Sequence, residues 1–168
     1  MTDLARGATL VTATIITGLV ADLFYAYAIS VMLGLNRTDD RTFVSAMRSI
    51  NVAILNGWFL LAFLGAPVLT ALAAVLALRA GTGAALLWIV AALALYAVVL
   101  IVTFVVNVPL NDQLEAAGSD HALSLAAVRG RFEARWVRWN VVRAVASTAA
   151  FGCLTWALVL FGQNSTSV

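Results

Sequence analysis

Apolar residues fall in four long runs, at roughly 8–33, 52–78, 84–106 and 139–161, and polar residues collect between them. Each run is close to or longer than the ~20 residues that a helix needs to cross a bilayer. The pattern predicts an all-α protein: a membrane-embedded four-helix bundle built as a single integral membrane domain from residues 1–168. The first connection, NRTDDRTFVSAMRSIN at 36–51, is polar at its start and helical in its second half, so the second helix is expected to begin before the membrane does. RAGTG at 79–83 is short enough for a tight antiparallel hairpin. The third connection, from 107 to about 136, is the longest and ends in clear helical order. At 100° per residue, Arg131, Arg135 and Arg138 share one face, while Phe132, Trp136, Trp139 and Arg143 share another. An extended, partly amphipathic connection is thus expected to lead into the fourth helix. That helix should begin near Ser119 or Asp120 and enter the bilayer around Trp136.

Local residues refine this picture. The first run carries Thr9, Thr12, Thr14, Thr17, Gly18 and Ser30, small or hydroxylated residues that suit close helix contact. It begins after Arg6 and reaches Ala26-Tyr27-Ala28, which imitates a secretory signal with its cleavage site. The apolar stretch is too long for a signal core and Asp22 interrupts it, so a permanent first helix is expected. Pro67 removes a backbone donor from the second helix and is expected to kink it.

The chain is 63% hydrophobic and 11% charged, with a mean hydropathy of +1.00. Its net charge of +2 comes from arginine alone, with no lysine. Arg37, Arg41, Arg48, Arg129, Arg131, Arg135 and Arg138 lie in the two longer connections, against Arg6 and Arg79 on the other side. The positive-inside rule then puts 36–51 and 107–136 in the cytoplasm, with the plasma (inner) membrane as the expected location. No separate polar domain exists to hold a nucleic acid, and the excess charge reads as membrane placement. Cys153 stands alone in the fourth run, so no intramolecular disulfide can form. The lipid bilayer is the one certain partner, and homo-oligomerisation is left open.

Costly residues gather near one end of the runs. Asn51, Asn56, Asn107, Asn111, Trp136, Trp139, Asn140 and Arg143 all sit at or just inside the ends bearing the two longer connections. The asparagines can cap helices, bond between helices or point into a cavity, and the tryptophans can form an interfacial belt or stack on a guest. Asn107 and Asn111 flank Pro109 and could satisfy the backbone groups that it frees. Arg143 lies roughly 10 Å beyond Trp136 along the helix, within reach of snorkelling. Asp22 is too short to snorkel and is expected to face the interior, where it would meet Arg143, with Tyr25 beside it. If it stays neutral instead, it could act as an acid or base. His121, the single histidine, could fold over the cavity mouth as a base near neutral pH. One histidine without cysteine or carboxylate neighbours at ligand spacing makes no zinc, iron or bis-histidine haem site, so no metal or cofactor is expected.

Four stretches carry a family likeness: GLVADLFYAYAISVMLGL at 18–35, AMRSINVAILN at 46–56, NVPLNDQL at 107–114 and RWVRWNVVR at 135–143. Through them nearly the whole chain resembles the anthrone-oxygenase-like family of small four-helix membrane proteins, long catalogued as a domain of unknown function. It departs from the family pattern at Leu33 and Gly57, where prolines are usual, and at Asp22, where a small residue is usual. The resemblance implies an oxygenase that takes an aromatic polyketide anthrone to a quinone with molecular oxygen, without metal or flavin. On that footing Arg143, Asn107, Asn111 and Asn140 would steady an oxyanion, Trp136 and Trp139 would stack on the flat substrate, and Asp22 or His121 would be the base. Two other functions remain open from the residues alone: a non-catalytic membrane protein that holds a lipid, quinone or hydrophobic metabolite, and a small exporter.

Overall fold

A computed structural model describes residues 3–118 and 124–165, and every element among them is a helix. Helix α1 (Asp3–Ala26) continues through a π-helical turn (Tyr27–Val31) into Met32–Asn36. Helix α2 (Asp40–Ala53) and helix α3 (Gly57–Arg79) follow. Helix α4 (Gly83–Val102) continues through a second π-helical turn (Thr103–Asn107) into Val108–Gly118, and helix α5 is Leu125–Ser165. Four of the helices, all but α2, are long and apolar enough to cross a membrane. The protein is an all-α integral membrane bundle, with α1 packed on α3 and α5, and α4 packed on the same two.

Large apolar side chains such as Leu19, Leu61, Leu87 and Val145 point outward, while Ala13, Thr17, Ala66, Ala92, Ala150 and Ala157 fill the interior. Lipid is as apolar as leucine, so small residues inside gain backbone proximity and large ones outside lose nothing. Gly18 shows how close the helices come: a Cβ there would meet the Phe151 ring at 2.9 Å. The α3–α4 hairpin turns at Gly81, whose φ of +70° favours a residue without a Cβ.

The second helix does not begin before the membrane as expected. Residues 36–51 instead feed a separate amphipathic helix, α2, which Asp39 caps by accepting from the Thr42 amide at 3.0 Å. The chain then breaks because Asn56 adopts an extended backbone and its Oδ1 accepts from the Phe59 amide at 3.1 Å, starting α3 afresh. Helix α2 packs on the end of α4 and the start of α5, burying Phe43, Val44 and Met47 against Leu110, Leu114, Phe132 and Trp136. Residues 119–123, where the sequence placed the start of the fourth helix, lie outside the described residues.

Two prolines inside spanning helices leave carbonyls without their usual donors, a debt that lipid cannot settle. Helix α3 runs continuously through Pro67. The missing amide there would have served the Phe63 carbonyl, and the buried Tyr96 hydroxyl donates to that carbonyl instead at 2.8 Å. At Pro109 the answer differs, since the helix widens into the Thr103–Asn107 π turn just before the proline. We therefore expect Tyr96→Phe to cost about 1 kcal/mol in detergent unfolding. The same substitution made on a Pro67→Ala background, where the amide is restored, should cost close to nothing; equal costs in both backgrounds would refute the exchange.

Candidate functional site

A cavity of about 420 Å³ opens at the end of the bundle that carries α2. That volume falls within the ~300–1,000 Å³ typical of small-molecule sites. Phe24 and Tyr27 reach it from α1, Phe59 and Phe63 from α3, Thr103, Asn107 and Asn111 from α4, and Trp136, Asn140 and Arg143 from α5. Asn51, near the end of α2, overhangs it. Both π-helical turns abut the cavity, placing Tyr27 on one side and Thr103 and Asn107 on the other. Such turns displace the following side chains from the α-helical register and recur at functional sites.

Arg143 is the dominant charge of the cavity and is only 6% exposed. One terminal nitrogen donates to Asn140 Oδ1 at 2.9 Å and the other lies 3.5 Å from Thr103 Oγ1, while Nε has no partner. The guanidinium carbon sits 4.4 Å from the centre of the Phe24 ring and 5.3 Å from that of Trp136. Among the described residues none of the ion pairs involves Arg143. A cation over two aromatic faces with a free donor has the chemistry to take an anionic oxygen.

The asparagines are fixed by their neighbours. Asn140 Nδ2 donates to the Phe24 carbonyl at 3.0 Å, which turns its oxygen toward Arg143. Asn111 Oδ1 accepts from the Trp136 indole at 2.9 Å and so sets the plane of that ring. Asn107 Nδ2 lies 3.5 Å from the Trp136 carbonyl, and its buried Oδ1 has no partner. Asn51 Nδ2 is likewise buried without one. Neither Asn107 nor Asn111 serves the backbone at Pro109; both are committed to Trp136 or to the cavity. Two carboxylates stand at the polar rim, Asp112 and Glu115. Glu115 is held by a two-pronged pair with Arg48 of α2, Nε to Oε2 at 2.9 Å, and this bonding keeps the Arg48 guanidinium protonated above its ordinary range.

Six of the expected site residues thus line one cavity: Asn51, Asn107, Asn111, Trp136, Asn140 and Arg143. Asn56 does not, being the cap of α3, and the half-buried Trp139 is absent from the lining. The expected meeting of Asp22 with Arg143 does not occur. The buried stripe of α1 runs Leu10, Ala13, Thr14, Thr17, Val20, Ala21, Phe24, and Tyr27 extends it into the cavity. Asp22 and Tyr25 stand one residue off that stripe and face outward, both exposed. The assumption that an acid within a span must turn inward misdirected the assignment, whereas the 3.6-residue period of the small and hydroxylated residues would have selected Phe24 and Tyr27. His121 lies outside the described residues. Sequence reasoning also missed Thr103, Phe59, Phe63 and Asp112.

Among the described residues no three His, Cys, Asp or Glu side chains gather as metal ligands would. A second hollow of about 350 Å³ between Leu110–Ala117 and Ala127–Phe132 is lined mostly by aliphatic side chains, with Gln113 and Arg131 at its edges. It lacks the convergent buried polar atoms of the first.

A family model for anthrone oxygenase matches residues 58–153, more than half of the chain. The matched segment includes α3, α4 and the part of α5 that carries Trp136, Asn140 and Arg143. Neither a curated protein nor a solved structure matches.

A buried cation without an acid is a burden on folding that an apolar side chain of similar length would lift. Arg143→Met should therefore keep its unfolding midpoint or raise it, since the loss of the Asn140 bond is offset by removing a desolvated charge. A loss of ~3 kcal/mol or more, the cost of breaking a buried ion pair, would reveal a hidden counterion.

Proposed function

The chain belongs to the anthrone oxygenase family, and from that premise we propose that its cavity binds a flat, polyketide-like aromatic with an acidic C–H and oxidises it with molecular oxygen. The observation that carries this reading is Arg143, a cation with no acid partner among the described residues, set among aromatic rings in a cavity of suitable size. Removing a proton from an anthrone methylene gives an aromatic enolate whose charge rests on oxygen. That oxygen would sit against the Arg143 guanidinium, with the Asn107 amide beside it, and be stabilised where water is scarce. Trp136, Phe24 and Phe63 would hold the ring plane.

The proton acceptor best placed in this arrangement is Asp112, the rim carboxylate that is not tied up in an ion pair. The enolate passes an electron to oxygen, the two radicals join in a C–O bond as a peroxide anion, and the proton held by Asp112 returns to it to give a hydroperoxide. Loss of water from the hydroperoxide leaves the second carbonyl. Carbon gives up four electrons, one oxygen atom enters the quinone, the other leaves as water, and each anthrone consumes one O2. Seven arginines in or just beyond the two longer connections favour a cytoplasmic position for this end of the bundle.

A protein that merely holds such a molecule would use the same cavity without consuming oxygen. Purified protein given anthrone should therefore take up one O2 per quinone formed, above the rate of protein-free detergent or lipid. Arg143→Gln should lower kcat/KM by about 10²-fold, the usual cost of an oxyanion donor, and Asp112→Asn should lower kcat with little change in KM. Saturable binding with no oxygen uptake would leave a holding protein; wild-type turnover in Arg143→Gln would discard the role given to the guanidinium.

A further inference from the structure

The cavity reaches the surface on two sides. Toward α2 its rim carries the polar groups of Asn51, Asn111, Asp112 and Glu115 beside the exposed Val52 and Leu55. Between α3 and α4 it is bordered by Leu60, Leu64, Phe104 and Val108, which are 40%, 48%, 57% and 37% exposed on the outer surface of the bundle. A side chain that both lines a cavity and faces outward stands at an opening. Leu60 and Leu64 are one turn apart on α3, as are Phe104 and Val108 on α4, so two apolar ridges face one another across it.

The opening follows from the backbone. Helix α3 packs on α4 along Gly83–Val102. Immediately beyond, α4 widens into its π turn and reaches Pro109, and α3 starts from the extended backbone at Asn56. What bridges the two helices here is a ring contact, Phe104 edge-on to Phe63 with centroids 6.3 Å apart. Phe63 in turn stacks on Phe59 at 5.2 Å and meets Phe24 edge-on at 6.4 Å. Phe24 lies under the Arg143 guanidinium. An aromatic path therefore runs from the outer surface to the buried cation.

We infer that this opening is a lateral portal through which the guest enters from the hydrocarbon of the bilayer, edge-on between α3 and α4, with its acidic oxygen leading toward Arg143. The inference rests on the cavity being a substrate site, and it narrows the substrate class. The guest is a flat, largely apolar aromatic that dissolves in lipid and carries its ionisable oxygen at one edge. Phe104 acts as the gate, because its ring is exposed and its one ring contact among the described residues is the edge-on meeting with Phe63, so it can swing aside without disturbing the packed interior. The side toward α2 is left for protons and water.

The test uses 2-hydroxyanthraquinone, a flat and unreactive probe, delivered from donor vesicles to the full-length protein in vesicles and followed by quenching of intrinsic tryptophan fluorescence. Wild type should show a saturable phase that Arg143→Gln weakens at least tenfold. Narrowing the portal with Leu64→Phe plus Val108→Phe should slow association and dissociation together, each at least fivefold, and leave Kd within twofold. Phe104→Ala should speed both. All three positions face lipid, so an unchanged unfolding midpoint is expected and identifies folded variants. Rates that move in neither variant, with Arg143-dependent binding intact, overturn the portal alone. No saturable phase in wild type overturns the substrate site itself.

Discussion

A guanidinium held inside a membrane bundle with no acid beside it among the described residues is the constraint from which the rest of this structure follows. Taking a cation out of water costs several kcal/mol even after relaxation, and Arg143 recovers part of that from Asn140 and from the faces of Phe24 and Trp136. The remainder is not recovered within the described residues, where Nε lacks a partner. Two neighbours of Arg143 are in turn fixed by bonds of their own. Asn140 is anchored on the Phe24 carbonyl, and the Trp136 ring is aligned by Asn111. The arrangement is stiff where it meets the charge and open where a guest would bring the opposite charge.

The space for that guest arises from departures from ideal helix geometry. Regular helices of alanine and threonine close the far end of the bundle, where Ala73, Ala77, Ala92, Ala150 and Ala157 leave little room. At the α2 end the same helices widen into π turns, one of them just before Pro109, or begin anew at Asn56. Each departure must find a substitute for lost backbone bonds, because lipid offers none. Tyr96 on the Phe63 carbonyl is such a substitute. The regular half packs closed on small side chains, and the irregular half keeps a hollow.

Much of this was legible in the chain. Unbroken apolar runs settle the number of spans, because length against bilayer thickness leaves few alternatives. The gathering of asparagines with Trp136 and Arg143 was visible too, since a polar side chain in a span must be satisfied by another span. What was misread was the rotation of α1, which the period of its small and hydroxylated residues does carry. The π turn at Tyr27–Val31 leaves no mark in composition, and Asp22 offered a chemically attractive but misleading inward anchor for the Arg143 charge. The break at Asn56 was equally hidden, because the apolar residues on either side of it read as one continuous run. Only the extended backbone there shows that α2 lies apart and roofs the site.

The family likeness and the geometry meet at the same side chains, yet they speak to different things. The likeness concerns what is oxidised; the geometry concerns where negative charge is welcome. The second is the deeper claim, because any guest, reactive or not, must answer to the buried cation. It is tested most directly by titrating the hydroxyl of 2-hydroxyanthraquinone spectrophotometrically while it is bound in the cavity. With Arg143 present, the account predicts a hydroxyl pKa at least about one unit below that of the same molecule in protein-free lipid, and a return toward the lipid value in Arg143→Gln. An equal pKa in wild type and Arg143→Gln would contradict it.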